Sequence, residues 1–408
     1  MPIEFHERVL TNGLRVIAET DPAAHTAAAG FFVRTGARDE ASEVMGVSHF
    51  LEHMMFKGTA DITADQLNQR FDRMGARNNA YTSSELTCFY AHVLPERAID
   101  AVELLGAMMR PALRQDDFDT EKGVILEEIA MYKDNPFWVL YEACLERHYE
   151  HHPLGHRVLG TNETITNLTS DAMRAYFDGR YSADNTAVAL AGRIDFDACC
   201  ASIERVCADW GSTGAVRDPA TPSIQDRVVT LRDPGVSRGY AILVAPGPAA
   251  SDDRRYAAAM LSQVLGAPDN SRLHWSLIET GLAEEAQASF DAHDGVGEFF
   301  VYASGDPERL PEILGVIDRE LDGLVSSLTE DDLVCLRARL ATAVTLGGER
   351  PADRMQRLGR QWTLRRPYTT LEDELARIER VTLDEMRAVH EAFPFRPRTL
   401  ATLTPAES

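Results

Sequence analysis

The stretch His49-Phe50-Leu51-Glu52-His53 lies inside the run Gly46-Val47-Ser48-His49-Phe50-Leu51-Glu52-His53-Met54-Met55-Phe56-Lys57-Gly58-Thr59. No Pro or Gly interrupts Val47 to Lys57, and its Leu, Met, Glu and Lys residues favour helix. At about 100° per residue, His49, Glu52, His53 and Phe56 fall on one arc, opposite Val47, Leu51, Met54 and Met55. Phe50 and Phe56 flank the polar arc, so the helix is expected to be buried nearly all round. A buried Glu beside two buried His needs a partner, because unpaired buried charge is costly. A divalent metal on His49 and His53, at i and i+4, satisfies all three. The other reading of these residues is two surface histidines and a solvated Glu.

Composition narrows the classes. The 408 residues correspond to two or three domains. Lys plus Arg number 41 against 64 Asp plus Glu, a net charge of -23. That balance argues against a nucleic-acid or anionic membrane surface and suits basic or extended peptide ligands. The cysteines are Cys88, Cys144, Cys199, Cys200, Cys207 and Cys335, with no C-x-x-C pair. Vicinal Cys199-Cys200 does not suit a disulfide framework, so reduced, mostly buried thiols are expected. Met1-Pro2-Ile3-Glu4-Phe5-His6-Glu7 has no apolar leader pattern, and no stretch reaches the roughly 18 to 20 apolar residues of a membrane span. A soluble, cytoplasmic protein without a membrane or nucleic-acid partner is expected.

Along the chain, hairpin and strand signals alternate with helical ones. Two strands flank Thr11-Asn12-Gly13, and Ala27 to Arg34 reads as a strand. Ala76 to Ser84, containing Asn79-Ala80-Tyr81-Thr82, leads into a strand at Leu86 to Val93. Residues 213–226 are rich in Gly, Ser, Thr, Pro and Asp and read as a linker. Beyond them a similar order recurs: strands at 227–232 and 237–244, a helix at 254–265, strands at 285–290 and 298–305, then helices. The fold class is α+β, with a domain over 1–212 and a related one over 227–408. The 254–265 helix stands where the His49 helix stands in the first half, and it carries no metal ligands.

A catalytic zinc takes three protein ligands. Glu121-Lys122-Gly123-Val124-Ile125-Leu126-Glu127-Glu128-Ile129-Ala130-Met131-Tyr132 offers the third. On a helical wheel its apolar arc holds Val124, Ile125, Ile129, Met131 and Tyr132. Glu128 falls near the centre of that arc with Glu121 above it, while Glu127 points outward. Glu128 is therefore the expected ligand, and Glu121 a carboxylate that orients a ligand or helps protonate the product. The alternative for this acidic pair is a buried salt bridge.

His-x-x-Glu-His reverses the H-E-x-x-H zinc-protease helix. With Asn79-Ala80-Tyr81-Thr82, Val124-Ile125-Leu126-Glu127-Glu128-Ile129 and Pro153-Leu154-Gly155-His156 through Gly160-Thr161, it resembles the pitrilysin family of zinc metallopeptidases. The likeness is greatest to the short branch that includes the mitochondrial processing peptidase and its bacterial relatives. The resemblance implies one Zn2+ per chain on His49, His53 and Glu128, with Glu52 as general base and Glu121 in support. It also implies an endopeptidase that encloses peptides or unfolded segments, bound along Asn79, Ala80, Tyr81 and Thr82. Each half would be an α/β roll, an antiparallel sheet with helices packed on it, and four rolls would close a clam-shell chamber as a dimer. One feature departs from the family. Relatives that complete the site from the C-terminal half carry an Arg and, seven residues later, a Tyr after a Gly-Leu-Ala-like turn. Here that turn is Gly281-Leu282-Ala283, followed by Glu284, with Leu277 or Ile278 at the Arg position and Arg272 out of register. The implied partner is a second copy of the chain or a related subunit without the metal motif. The competing class is a non-catalytic or weakly active scaffold subunit.

Overall fold

The computed structural model describes residues 3–406. Two compact units emerge. The first comprises residues up to Ala130, His156–Asp218 and Leu346–Tyr368. The second comprises Met131–Gly155, Pro219–Thr345 and the residues from Thr369 onward.

The first unit is built on six strands: β1 (Glu4–Val9), β2 (Arg15–Thr20), β3 (Ala27–Val33), β4 (Arg77–Thr82), β5 (Thr87–Val93) and β6 (Thr186–Gly192). Their order in the sheet is β1-β2-β6-β3-β5-β4. All pairs are antiparallel except β2 with β6. Every residue of β3 and β6 is buried, because both faces of the sheet are covered and side chains alternate between two cores. Ala27, Ala29, Phe31 and Val33 point into one core, which also holds Leu51, Met54, Met55 and Leu105. Ala28 and Phe32 point into the other with Cys88, Ala189, Met355 and Leu358.

The second unit repeats the plan. Its strands are β7 (Arg227–Arg232), β8 (Gly239–Gly247), β9 (Ala283–Ala292), β10 (Gly297–Gly305) and β11 (Thr399–Thr404). The order β7-β11-β8-β10-β9 matches β2-β6-β3-β5-β4 position by position, including the single parallel pair, β7 with β11. The expected α+β class with two related domains is therefore what the chain adopts. The sheets are mixed rather than purely antiparallel.

The units are not the two halves of the sequence on either side of 213–226. Four helices matter here: α1 (Val47–Met55), α2 (Gln115–Lys133), α3 (Pro136–Tyr149) and α4 (Pro351–Thr363). Leu140 and Cys144 of α3 pack on Ile242, Val244, Phe300 and Tyr302 in the second unit. Met355 and Leu358 of α4 pack on Phe32 and Cys88 in the first. Each sheet thus receives the helix on one face from a distant part of the chain. An apolar helix stripe says that a face is buried but not which sheet buries it, and so the cut at the linker misses this exchange. Residues 211–226 carry no helix or strand, yet Arg217 is buried, pairing with Asp39 at 2.8 Å and donating to the Glu85 carbonyl at 2.6 Å. The start of this segment therefore belongs to the first unit. Asn79-Ala80-Tyr81-Thr82 lies in β4, a strand separate from the one at Thr87–Val93. Strand β4 forms the sheet edge, and the strand after it is interior.

Two predictions test these contacts. A Cβ at Gly359 of α4 would overlap the ring of Phe32. In a helix Gly→Ala gains up to about 1 kcal/mol, but the overlap falls on a fully buried ring. We expect Gly359→Ala to lose about 1 to 3 kcal/mol; urea unfolding checks the sign. In the second unit His148 is 1 % exposed and its Nδ1 lies 3.0 Å from Thr399 Oγ1. Burial, aided by Arg227, pushes its pKa down to about 4 from 6.5. Below about pH 6.5 the unfolded chain binds this proton first, so stability is full above that pH and falls as pH drops toward 4. The His148 share of the loss is about 2 to 3 kcal/mol. His148→Gln should narrow the gap between urea midpoints at pH 7 and pH 4.5.

Candidate metal centre

Helix α1 begins without an ordinary cap. Its N-cap is Gly46, whose φ of 94° lies in the left-handed region, and a Cβ there would meet the Leu159 carbonyl oxygen at 2.6 Å. Glycine is thus required for the 159–160 loop to close against the helix start. Since glycine offers no side-chain acceptor, Glu40 supplies one. Its Oε2 accepts from the Gly46 amide at 2.7 Å and its Oε1 from the Ser48 amide at 2.8 Å. Burial pushes the Glu40 carboxyl up to about 8, against the two amides that favour its charged form. Ser48 Oγ lies 2.7 Å from the Tyr176 hydroxyl, which in turn lies 2.9 Å from Thr35 Oγ1.

Anchored in this way, α1 buries Val47, Phe50, Leu51, Met54 and Met55 completely. His49 is buried, and Glu52 and His53 are half-buried. This is the arc the wheel gives. In α2 the buried residues are Phe118, Glu121, Ile125 and Ile129. Val124 and Met131, placed on the apolar arc by the wheel, are instead 44 % and 71 % exposed. The packed stripe of α2 is narrow, so only residues stacked at i, i+4 and i+7 or i+8 reach the core. Glu128 sits beside that stripe, half-buried, and Glu127 is exposed.

The ligand atoms of His49, His53 and Glu128 all lie within 4.8 Å of one another, the cluster of this kind found among the described residues. Glu128 Oε2 is 3.8 Å from His49 Nε2 and 3.7 Å from His53 Nε2. These separations are too long for hydrogen bonds and match atoms that share a small cation. His53 Nδ1 is 2.9 Å from Glu121 Oε1, which turns Nε2 toward the shared point. Glu121 also pairs with Lys57. Burial alone would raise the Glu121 carboxyl; hydrogen bonds from Lys57 and His53 outweigh it and hold the group below its usual range. Burial, with His53 nearby, pushes His49 down to about 4, leaving a neutral imidazole as a metal requires. His49 Nδ1 is buried with no hydrogen-bond partner among the described residues. Burial raises the Glu52 carboxyl, and a hydrogen bond from Thr82 opposes the rise. The donor set of two imidazoles and one carboxylate suits zinc.

The structure thus brings together His49, Glu52, His53, Glu121, Glu128 and Thr82. Asn79 is exposed on the edge strand, Ala80 is buried on the α1 side, and the Tyr81 hydroxyl donates to Gln356 of α4 on the opposite face. Sequence reasoning did not select Glu40 or Lys57. Lys57 is four residues after His53, a spacing that signals a shared helix face. Glu40 has no such signal, because it caps from outside the helix. In the second unit Leu277 is fully buried and Glu284 pairs with Arg238.

The pattern described as Insulinase (Peptidase family M16) matches residues 15–162, and that described as Peptidase M16 inactive domain matches 167–340. A protein of Streptomyces coelicolor bearing the name uncharacterized zinc protease is 32% identical over 409 residues, 97% of this chain and 88% of its own length. The chain belongs to peptidase family M16. Within that family, a Bacillus subtilis protein bearing the name uncharacterized zinc protease YmxG is 29% identical over 398 residues, covering 97% of each chain. The fold of this M16 chain is also that of a protease from Helicobacter pylori, with a TM-score of 0.92 at 20% identity, over 99% of this chain and 100% of the other. No helix among the described residues is long and apolar enough to cross a membrane.

Removing the Glu40 carboxylate leaves two buried amides without acceptors. We expect Glu40→Ala to lose about 2 to 4 kcal/mol, measured by urea unfolding of metal-free protein. Loss of the α1 helix start should also weaken metal uptake.

Proposed function

We propose that the chain is a zinc-dependent endopeptidase acting on peptides or unfolded protein segments. The observation that carries this reading is the convergence of His49 Nε2, His53 Nε2 and a Glu128 oxygen, with Glu52 on the same helix face. A zinc ion held by these three residues supplies Lewis acidity, acidifying water and polarising a peptide carbonyl. Glu52 takes the proton of the attacking water and delivers it to the leaving amine. Glu121, itself held by Lys57, keeps His53 in its tautomer and supports product protonation. The edge of β4 at Asn79, Ala80, Tyr81 and Thr82 pairs with the backbone of an extended peptide, a sequence-tolerant mode of binding. The zinc protease names of the relatives agree with this reading.

A second chain completes the site. Glu284 at the family's Tyr position and Leu277, buried, at its Arg position leave no carbonyl-polarising donor there, and one such donor is worth roughly 100- to 1000-fold in rate. A related subunit that carries the Arg and Tyr but lacks the metal motif is the partner that fits. A homodimer in which another residue substitutes is the alternative assembly, and a non-catalytic scaffold subunit the alternative role.

Metal analysis and peptide cleavage test the assignments. His49→Ala, His53→Ala and Glu128→Gln should each lose the one zinc per chain. Glu52→Gln should retain zinc and lose turnover, and Glu127→Gln should change neither greatly. Zinc loss in Glu52→Gln, or full activity in it, removes Glu52 from the role of base. Robust turnover by a homodimer of the isolated chain on a short unstructured peptide, unaffected by any partner, removes the two-subunit requirement.

A further inference from the structure

We propose that Thr82 is a positioning residue for Glu52, its hydroxyl fixing one carboxylate oxygen and leaving the other to carry the proton. The inference rests on Glu52 being the general base. Thr82 Oγ1 donates to Glu52 Oε2 at 2.6 Å, linking the last residue of β4 to the middle of α1. Among the described residues this is the hydrogen bond that Glu52 receives. A free Glu side chain turns about three torsions and offers two equivalent oxygens. One short bond to a β-branched residue, itself stiff at χ1, removes most of that freedom.

The geometry of β4 makes Thr82 suited to this task and ill-placed for another. Side chains alternate along a strand, and Ala80, two residues before Thr82, is buried in the core that holds α1. Tyr81 points the other way, to Gln356. The Thr82 hydroxyl therefore lies on the side of Glu52, not outward from the sheet edge where a peptide backbone would pair. Thr87, opposite Thr82 in register, spends its hydroxyl on the Thr35 carbonyl at 3.0 Å, so it does not compete for Glu52. The turn that follows is held too. Ser83 N donates to Leu86 O at 2.9 Å, and Glu85 is clamped by Arg38 at 2.6 Å. One rigid strand thus offers its backbone edge to the substrate and its last side chain to the base. Peptide and base are registered to the same element, which is the arrangement that fixes a reacting geometry most tightly.

Single-turnover cleavage of a short unstructured peptide, with enzyme in excess, separates this role from substrate binding. In Thr82→Val and Thr82→Ala the rate constant should fall about 10- to 100-fold, while the concentration at half-saturation and the zinc content stay unchanged. Thr82→Ser, which keeps the hydroxyl, should return most of the rate. A readout independent of turnover is peptide affinity by fluorescence anisotropy in the Glu52→Gln background. There Thr82→Val should leave affinity unchanged, because the carboxylate it orients is already gone. Weakened peptide binding in that background makes Thr82 a substrate contact and overturns the proposal. So does a wild-type rate constant in both Thr82→Val and Thr82→Ala, or failure of Thr82→Ser to recover. If Glu52→Gln itself cleaves at the wild-type rate, the reading of Glu52 as base fails, and the positioning role with it. A dead Glu52→Gln beside a fully active Thr82→Val overturns the positioning role alone.

Discussion

Two hydrogen bonds from backbone amides to the Glu40 carboxyl group decide where helix α1 starts, and the candidate metal centre depends on that start. A helix turns by 100° per residue, so a slip of one residue at Gly46 would swing His49 and His53 away from Glu128. Gly46 cannot hold the position itself, since its lack of a side chain is what lets the 159–160 loop approach. The acceptor must come from outside, and the buried Glu40 carboxyl offers one oxygen to each of the two amides. Completely buried Leu51, Met54 and Met55 then fix the helix rotation. The two imidazoles follow from that, without adjustment of their own.

The site is a chain of such dependencies in which each titratable group is neutralised or held by the next. Lys57 holds Glu121, Glu121 holds His53, and His53 faces Glu128. On the same face of α1, Thr82 holds Glu52. The two carboxylates of α2 behave differently because of their surroundings. Glu121 is buried but doubly bonded by a cation and an imidazole, whereas Glu128 stands half-open with one oxygen aimed between two imidazoles. Fixed partners suit Glu121 to support, and its freer oxygen suits Glu128 to ligation.

The functional face of α1 is readable from sequence because the helix is short, uninterrupted and packed on three sides, which makes its wheel unambiguous. The recurrence of strand order in the second half is readable as well, except for β11, which lies where only helices are expected; the five strands of the second sheet match five of the six in the first. The wheel of α2 is readable only in part. It identifies Glu121, Ile125 and Ile129 as inward, but it treats every apolar residue as buried and so misplaces Val124 and Met131. Glu40 escapes sequence reading because capping is normally local and here it spans a loop. The exchange of α3 and α4 escapes for a different cause. Hydrophobicity is non-directional, and a stripe of Leu, Met and Cys fits either sheet.

That exchange governs the order in which the protein can be made. All six strands of the first sheet have been synthesised by Gly192, but α4 does not begin until Pro351. At roughly 5 to 20 residues per second, the intervening stretch occupies the ribosome for about 8 to 30 s. Throughout that interval Phe32, Cys88 and Ala189 lack the helix that covers them. Helix α3 meets the opposite delay, since it is finished well before β8, β10 and β11 exist to receive it. The first unit cannot complete its core before residues Pro351–Thr363 are made, nor the second before Thr399–Thr404.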